Sequence, residues 1–108
     1  MKKQFYTSII EIDTLFIELD TLTLTDKEKA HLQEILETNL YHTMLDFVLS
    51  QLILEDRKLF LEKLAADDHE KTLEFLHKRI LNIEEKIKRK AKTFAQEMQE
   101  DIMQIKKS

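Results

Sequence analysis

The sequence contains no glycine, no proline and no cysteine in its 108 residues. Glycine supplies the positive φ angles of tight hairpins and phosphate-binding loops, so its absence argues against β-rich folds and glycine-loop nucleotide sites. Without cysteine there are no disulfides, cysteine-ligated metal sites or thiol catalysis, and nothing indicates an oxidising compartment. Helices joined by short polar linkers remain, and we predict an all-α fold.

Long apolar runs are also missing. The longest uncharged runs, residues 38–45 and 47–54, have eight residues each, whereas a membrane-spanning helix needs about 20. Near the start of the chain, Glu11 and Asp13 interrupt the apolar residues that a secretory signal would require. We therefore expect a cytoplasmic protein without a membrane partner.

Length and composition predict one domain spanning residues 1–108. With 43% apolar and 35% charged residues, the chain does not have the composition of a disordered protein. Residues 1–70 carry 7 basic and 15 acidic side chains, and residues 71–108 carry 10 basic and 6 acidic ones. Opposite net charges can attract within one fold or across a symmetric dimer, although a chance drift of surface charge explains the difference equally well.

We predict a compact bundle of about five helices with a long C-terminal helix. The first helix is expected over residues 5–19, where apolar residues recur at spacings of three and four. The same segment alternates apolar and polar residues in places and is rich in β-branched residues, so a strand is the alternative. Helix is preferred because no second strand is available for pairing.

A capping box predicts the start of the second helix. The Thr25 hydroxyl and the Glu28 carboxylate have the spacing that satisfies two free backbone N–H groups, and we expect the helix to continue to about Leu54. Its apolar face turns by more than a right angle along its length, as in a helix with different neighbours at its two ends or a kink near Asn39. The second half should form the centre of the core.

Three further helices follow in the prediction. A short helix should bury Leu59, Phe60 and Leu64. The next should begin at a cap formed by Asp67 or Asp68 and should bury Leu73, Leu76 and Ile80. The last should begin at Asn82, acting as N-cap with Glu85 three residues later, and should run from Ile83 to about Lys106.

The order of these segments resembles a family of small uncharacterised bacterial proteins, a domain of unknown function common in candidate-phyla bacteria. The resemblance rests on "FIELDTLTLTDKEK", "LEDRKLFLEKLAADDHEKTLEFL" and "NIEEKI", and it covers most of the chain. The chain departs from the family pattern by having no glycine or proline at the turns. The resemblance implies a helical fold and no known activity.

The apolar stripe of the last helix predicts a partner surface. It recurs at spacings of four and three over about 24 residues, a helix of ~36 Å, and the preceding helices of about 12 residues are too short to cover it. We expect its distal part to bind another protein or a second copy of the chain, as in a homodimer, unless an earlier helix folds back over it. The residues of this proposed partner-binding surface are Met98, Ile102, Met103 and Ile105.

The basic residues of the same helix suggest a different function. Nucleic-acid or ribosome-associated binding is the alternative, through Lys86, Lys88, Arg89, Lys90 and Lys92. A solvated face is the preferred interpretation, because the only nearby aromatic in the sequence, Phe94, is on the buried stripe and because the helix start is acidic. Glu84–Lys88 and Glu85–Arg89 also have the spacing of intrahelical ion pairs.

The candidates for chemistry are few. Glu28–His31 and Glu74–His77 have the Glu-x-x-His spacing of di-iron bundles, but the further inward-facing glutamates of such a site are missing. His31 and His42 are too far apart to share one metal ion, and His42 with Asp46 is expected to form only a local polar contact. No serine lies in a nucleophile motif. We therefore expect a protein that is not an enzyme, with no catalytic residues, no cofactor and no metal.

Overall fold

The computed structural model describes residues 4–10 and 24–107, and in residues 102–107 it describes the helical backbone alone. These residues form four helices: α1 (Asp26–Gln51), α2 (Leu54–Ala65), α3 (His69–Arg79) and α4 (Ile83–Lys107). No strand occurs within the described ranges. The predicted all-α class is thus confirmed for this part of the chain, and the last four predicted helices are found close to their expected bounds.

The first expected helix, over residues 5–19, has no helical residues in its described part, residues 5–10. Residues 5–10 form turns, and the rest of the segment, including the question of helix or strand, lies outside the described ranges. The backbone N–H groups of Thr7 and Ile9 donate to the carbonyls of Gln4 and Tyr6, three residues back. The Thr7 hydroxyl also accepts a hydrogen bond from the Gln4 N–H at 2.7 Å.

The turn of residues 4–10 nevertheless belongs to the core. Phe5 and Tyr6 are almost completely buried, and the Phe5 ring meets the Phe60 ring of α2 edge-on, with centroids 5.6 Å apart. Burial raises the pKa of the Tyr6 hydroxyl far above its usual value, with smaller contributions from Tyr41 and Glu37. Two aromatic side chains thus anchor this segment to α1 and α2 without any regular structure.

Helix α1 begins as predicted and provides the longest buried stripe. The Thr25 hydroxyl accepts from the Glu28 N–H at 3.1 Å, and the Thr25 N–H donates to the Glu28 carboxylate at 3.2 Å. Because the buried residues are spaced by four, each is rotated about 40° from the last, and the stripe turns as the sequence predicted. The most deeply buried of them lie in the middle and second half of the helix, namely Leu40, Met44 and Val48.

Helices α2 and α3 form a hairpin that buries fewer aliphatic residues than predicted. In α2 only Phe60 is fully buried; Leu59 is 41% exposed and Leu64 is half-buried. The prediction for Leu59 was wrong because a helix of 12 residues packed mainly on one side hides a narrow stripe. In α3 Leu76 is buried as predicted and Ile80 is buried as its C-cap, but Thr72 and Phe75 take the place expected for the half-buried Leu73.

Two residues other than glycine adopt left-handed backbone conformations at the turns. Asp67, between α2 and α3, has a φ angle of 59°, and Asn82, between α3 and α4, has 56°. Asp68 is the N-cap of α3, where its carboxylate accepts from the Lys71 N–H at 3.1 Å. Asn82 directly precedes α4 as predicted, and its carbonyl accepts from the Lys86 N–H at 3.0 Å. Its backbone is left-handed, however, and not extended as is usual at an N-cap, a conformation that asparagine tolerates better than most residues.

Helices α1 and α4 lie side by side and run in opposite directions. Phe47 and Gln51, near the end of α1, face Lys86–Thr93 in the first half of α4. The protein is 46 Å long, whereas a parallel pair meeting there would extend over more than 50 Å at 1.5 Å per residue. The buried side of α4 consists of Ile83, Ile87, Ala91 and Phe94, as the sequence predicted.

Candidate functional site

Three exposed aliphatic residues lie at one end of the α2–α3 hairpin, and we call this set the aliphatic tip. It consists of Ile53, Leu54 and Leu81, which are 66%, 78% and 79% exposed. Ile53 and Leu54 are in the turn before and at the start of α2, and Leu81 is in the turn after α3. Single exposed leucines are common on protein surfaces, whereas three strongly exposed aliphatic residues at the same end of a domain are a feature of binding surfaces.

Two polar contacts hold the aliphatic tip together. The Arg57 Nε–H lies 2.8 Å from the Leu49 carbonyl and 3.0 Å from the Leu52 carbonyl, so it closes the C-terminal end of α1. The Arg79 guanidinium lies 3.8 Å from the Asp56 carboxylate and joins the end of α3 to the start of α2. Each member of this ion pair is two residues from a leucine of the tip, which places Leu54 and Leu81 at the same end of the molecule.

A second surface, the basic groove, lies between α1 and α4. It is an open groove of about 300 Å³, lined by Phe47, Gln51, Lys86, Arg89, Lys90 and Thr93. The Lys90 ammonium lies 6.0 Å from the centre of the half-buried Phe47 ring. The Arg89 guanidinium is 2.9 Å from the Glu85 carboxylate, an ion pair that the sequence predicted.

The structure divides the predicted basic run. Lys86, Arg89 and Lys90 line the groove, while Lys88 and Lys92 are exposed on the flank of α4 outside its lining. Glu84 does not pair with Lys88 as predicted; its carboxylate lies 4.0 Å from His77 of α3. Sequence analysis missed the aromatic residue of this site, because Phe47 comes to Lys90 only through the packing of α1 on α4.

The predicted partner-binding residues of α4 are described only in part. Met98 is half-buried and packs against the core. The side chains of Ile102, Met103 and Ile105 lie outside the described part of the structure, although their backbone is helical. For the proximal half of the stripe the alternative holds: an earlier helix, α1, packs over it, and Ile87, Ala91 and Phe94 are buried.

A cleft of about 500 Å³ lies at the opposite end of the α2–α3 hairpin and is mainly acidic. Asp67, Asp68, His69 and Glu70 line it together with Ser8 and Phe5. The His69 Nε2 atom is 3.4 Å from the Asp67 carboxylate, and Asp68 is occupied in capping α3. Among the hydrogen bonds of the described residues, none joins Ser8 to His69, so these side chains do not form a nucleophile–base pair.

The remaining polar candidates are dispersed. Glu28 caps α1, His31 and His42 are exposed, and the His42 ring contacts Tyr41. Over the residues that the structure describes, no group of three or more histidine, aspartate or glutamate side chains is arranged to hold a metal ion. In the same residues, no helix has an apolar stretch long enough to cross a membrane.

Comparison with known proteins adds no relative: no protein-family model matches the chain, and neither the curated proteins nor the solved structures include a significant match. The resemblance to a family of small helical bacterial proteins stays a prediction.

Proposed function

We propose that the protein is a small non-catalytic interaction module that binds another polypeptide through the aliphatic tip. The observation that carries this proposal is the exposure of Ile53, Leu54 and Leu81 at one end of the hairpin. Burying a leucine side chain contributes roughly 1.5–3 kcal/mol, so leaving three such residues in water is unfavourable unless a partner covers them. The proposed setting is the cytoplasm.

Polar contacts next to the tip support a binding role for it. Arg57 bonds to the end of α1 and the Asp56–Arg79 ion pair connects α2 with α3, and contacts of this kind reduce the conformational entropy that is lost when a partner docks. Three side chains make a small contact, well below the ~800 Å² that each partner buries in a stable complex. The proposed interaction is therefore transient, or it extends onto neighbouring surface.

The distal stripe of α4 is the second surface of the same proposal. Met98, Ile102, Met103 and Ile105 lie far along α4, whereas Leu81 directly precedes its first turn. A partner that contacts one surface does not reach the other without spanning most of the ~37 Å length of this helix. The two surfaces can thus be tested separately, and self-association through the stripe would give a homodimer.

Site-specific photo-crosslinking tests the aliphatic tip. A photoreactive phenylalanine analogue is placed at position 81, or, as a control, at the exposed position Lys27 at the far end of α1, and cells of the native host are irradiated. We expect discrete adducts from position 81 that disappear when Leu54→Gln is added, since that change removes half of the neighbouring apolar surface. Equal adducts from both positions, or adducts that survive Leu54→Gln, would contradict binding through the tip.

Sedimentation velocity tests the stripe. At concentrations of tens of micromolar, a dimer through α4 should be weakened at least tenfold by Ile102→Asp with Ile105→Asp. Leu54→Gln with Leu81→Gln should leave this dimer intact. A protein that stays monomeric at all concentrations would rule out self-association through the stripe. The proposal would then depend only on the crosslinking result for the tip.

A further inference from the structure

The basic groove combines three cations with an aromatic ring. Lys86, Arg89 and Lys90 line the groove on the α4 side and Phe47 lines it on the α1 side, with the Lys90 ammonium 6.0 Å from the ring centre. Phe47 is only half-buried, so part of its ring faces the groove. Aromatic side chains beside a cationic track are the arrangement with which proteins hold single-stranded nucleic acids, the ring stacking on a base and the cations pairing with phosphates.

The net positive charge is confined to the segment that carries the groove, while the rest of the chain is acidic. Residues 84–92 contain five basic and two acidic side chains, a net charge of +3, while the whole chain has −4, which leaves −7 elsewhere. Of the two acids, Glu84 is directed to His77 and Glu85 pairs with Arg89. The Glu85–Arg89 pair is exposed and therefore weak, so a phosphate can replace the carboxylate at little cost.

The size and depth of the groove favour a single strand. A volume of about 300 Å³ is at the lower limit for ligand sites and accommodates one nucleotide unit. Phe47 lies between two helices, where a base paired within a duplex does not reach it but an unstacked base does. Lys90 is a flexible side chain at the outer limit of a cation–π contact with Phe47, and it moves aside without breaking a hydrogen bond of the described structure.

We propose that the groove between α1 and α4 binds single-stranded nucleic acid, with one base on the Phe47 ring and the adjoining phosphates on Lys86, Arg89 and Lys90. This site is separate from the aliphatic tip and does not depend on the interaction proposed for it. RNA and DNA share the chemistry that the groove recognises, and the experiment compares them.

Fluorescence anisotropy with labelled oligo(U) and oligo(dT) 12-mers, measured against salt concentration, tests the proposal. Three phosphate contacts predict that log K falls with log [salt] with a slope of about −2, and each of Lys86→Gln, Arg89→Gln and Lys90→Gln should reduce the slope by about 0.7. Phe47→Leu keeps an apolar side chain in the packing and should weaken binding about 5- to 100-fold with the slope unchanged. A difference between the two oligomers then identifies the preferred strand.

Lys58→Gln is the matched control, because it removes the same charge from an exposed position of α2 outside the groove. It should change neither affinity nor slope. The proposal is overturned if the oligomers do not bind at 20 mM salt, if Lys58→Gln has the same effect as Lys90→Gln, or if Phe47→Leu leaves the affinity unchanged. In a competition experiment, polyaspartate at equal charge concentration should displace the probe less effectively than oligo(U). If it competes equally well, the groove binds acidic polypeptides and the proposal is overturned.

Discussion

The Asp56 carboxylate lies 3.8 Å from the Arg79 guanidinium, and the two side chains join the start of α2 to the end of α3. The Asp56 side chain is only 13% exposed, so its charge is largely removed from water. Arg79 also lies over the Phe75 ring, 5.4 Å from its centre. One guanidinium thus connects a partly buried carboxylate, a core aromatic and the turn that carries Leu81.

We expect this ion pair to contribute measurably to stability. Asp56→Asn and Arg79→Gln should each lower the free energy of unfolding by about 1 kcal/mol, with a coupling of about 0.5–1 kcal/mol in the double-mutant cycle measured by urea denaturation. The exposed pair Glu85–Arg89, 62% and 76% exposed, is the control, and its coupling should be about 0.3 kcal/mol. Equal couplings for the two pairs would show that burial of Asp56 does not matter.

The capping box of α1 predicts opposite effects for one substitution at two positions. Thr25→Ala removes the acceptor for the Glu28 N–H and should lower the free energy of unfolding by about 1 kcal/mol. Thr38→Ala lies at an exposed position within the helix, where the Thr38 hydroxyl bonds only to the Glu34 carbonyl, and it should raise stability by a few tenths of a kcal/mol. Thermal unfolding distinguishes the two signs, and a loss at both positions would contradict this account.

The positive φ of Asn82 predicts how glycine, asparagine and alanine rank in stability at this position, and the ranking should be reversed at a position within a helix. At position 82 we expect glycine to be more stable than asparagine, and asparagine more stable than alanine, in steps of about 0.5–1 kcal/mol, because only a residue without Cβ adopts φ 56° freely. At Asn39, exposed within α1, helix propensity gives the opposite order. Five unfolding curves, those of the unchanged protein and of the four variants, provide the test, and the same order at both positions would remove the backbone explanation.

The buried Tyr6 hydroxyl predicts a loss of stability in alkaline solution. Burial raises the pKa of Tyr6 above its unfolded value near 10. Above that pH the unfolded chain releases the proton while the folded chain keeps it, so the free energy of unfolding falls by up to about 1.4 kcal/mol per pH unit. Tyr6→Phe removes this dependence. Measuring the free energy of unfolding of both proteins between pH 8 and 11 separates the effect of Tyr6 from that of the lysines, which titrate in both. Parallel curves of stability against pH would contradict the prediction.

Local signals in the sequence predicted the helices well. The Thr25–Glu28 capping box and the apolar spacing of the last helix gave α1 and α4 nearly to the residue, because both signals depend on neighbours within one turn. At Asn82 the signal gave the start of α4 but not the left-handed backbone of the capping residue. A capping motif indicates which hydrogen bonds are available at a helix start. It does not indicate the orientation of the preceding helix, on which the backbone conformation of the turn depends.

The candidate sites were harder to predict because they form between segments distant in the chain. The basic residues of the groove were recognised, but Phe47 precedes Lys90 by 43 positions and meets it only through helix packing. The aliphatic tip was missed because the sequence gives Leu54 and Leu81 no role beyond lying near helix ends. Only the packing of α2 on α3 places them at the same end of the hairpin. Leu59 and Leu64 failed for a related reason, since spacing indicates a face and not how much of it a neighbour covers.

The pairing of α1 with α4 also has a consequence during translation. The apolar stripe of α1 is complete at Gln51, but the helix that covers it starts only at Ile83 and ends at Lys107. At the usual 5–20 residues per second, roughly 3 to 11 s pass before the ribosome has made the covering helix. During that time Leu40, Met44 and Val48 lack the helix that covers them in the folded protein, so the nascent chain needs other cover for this apolar stripe.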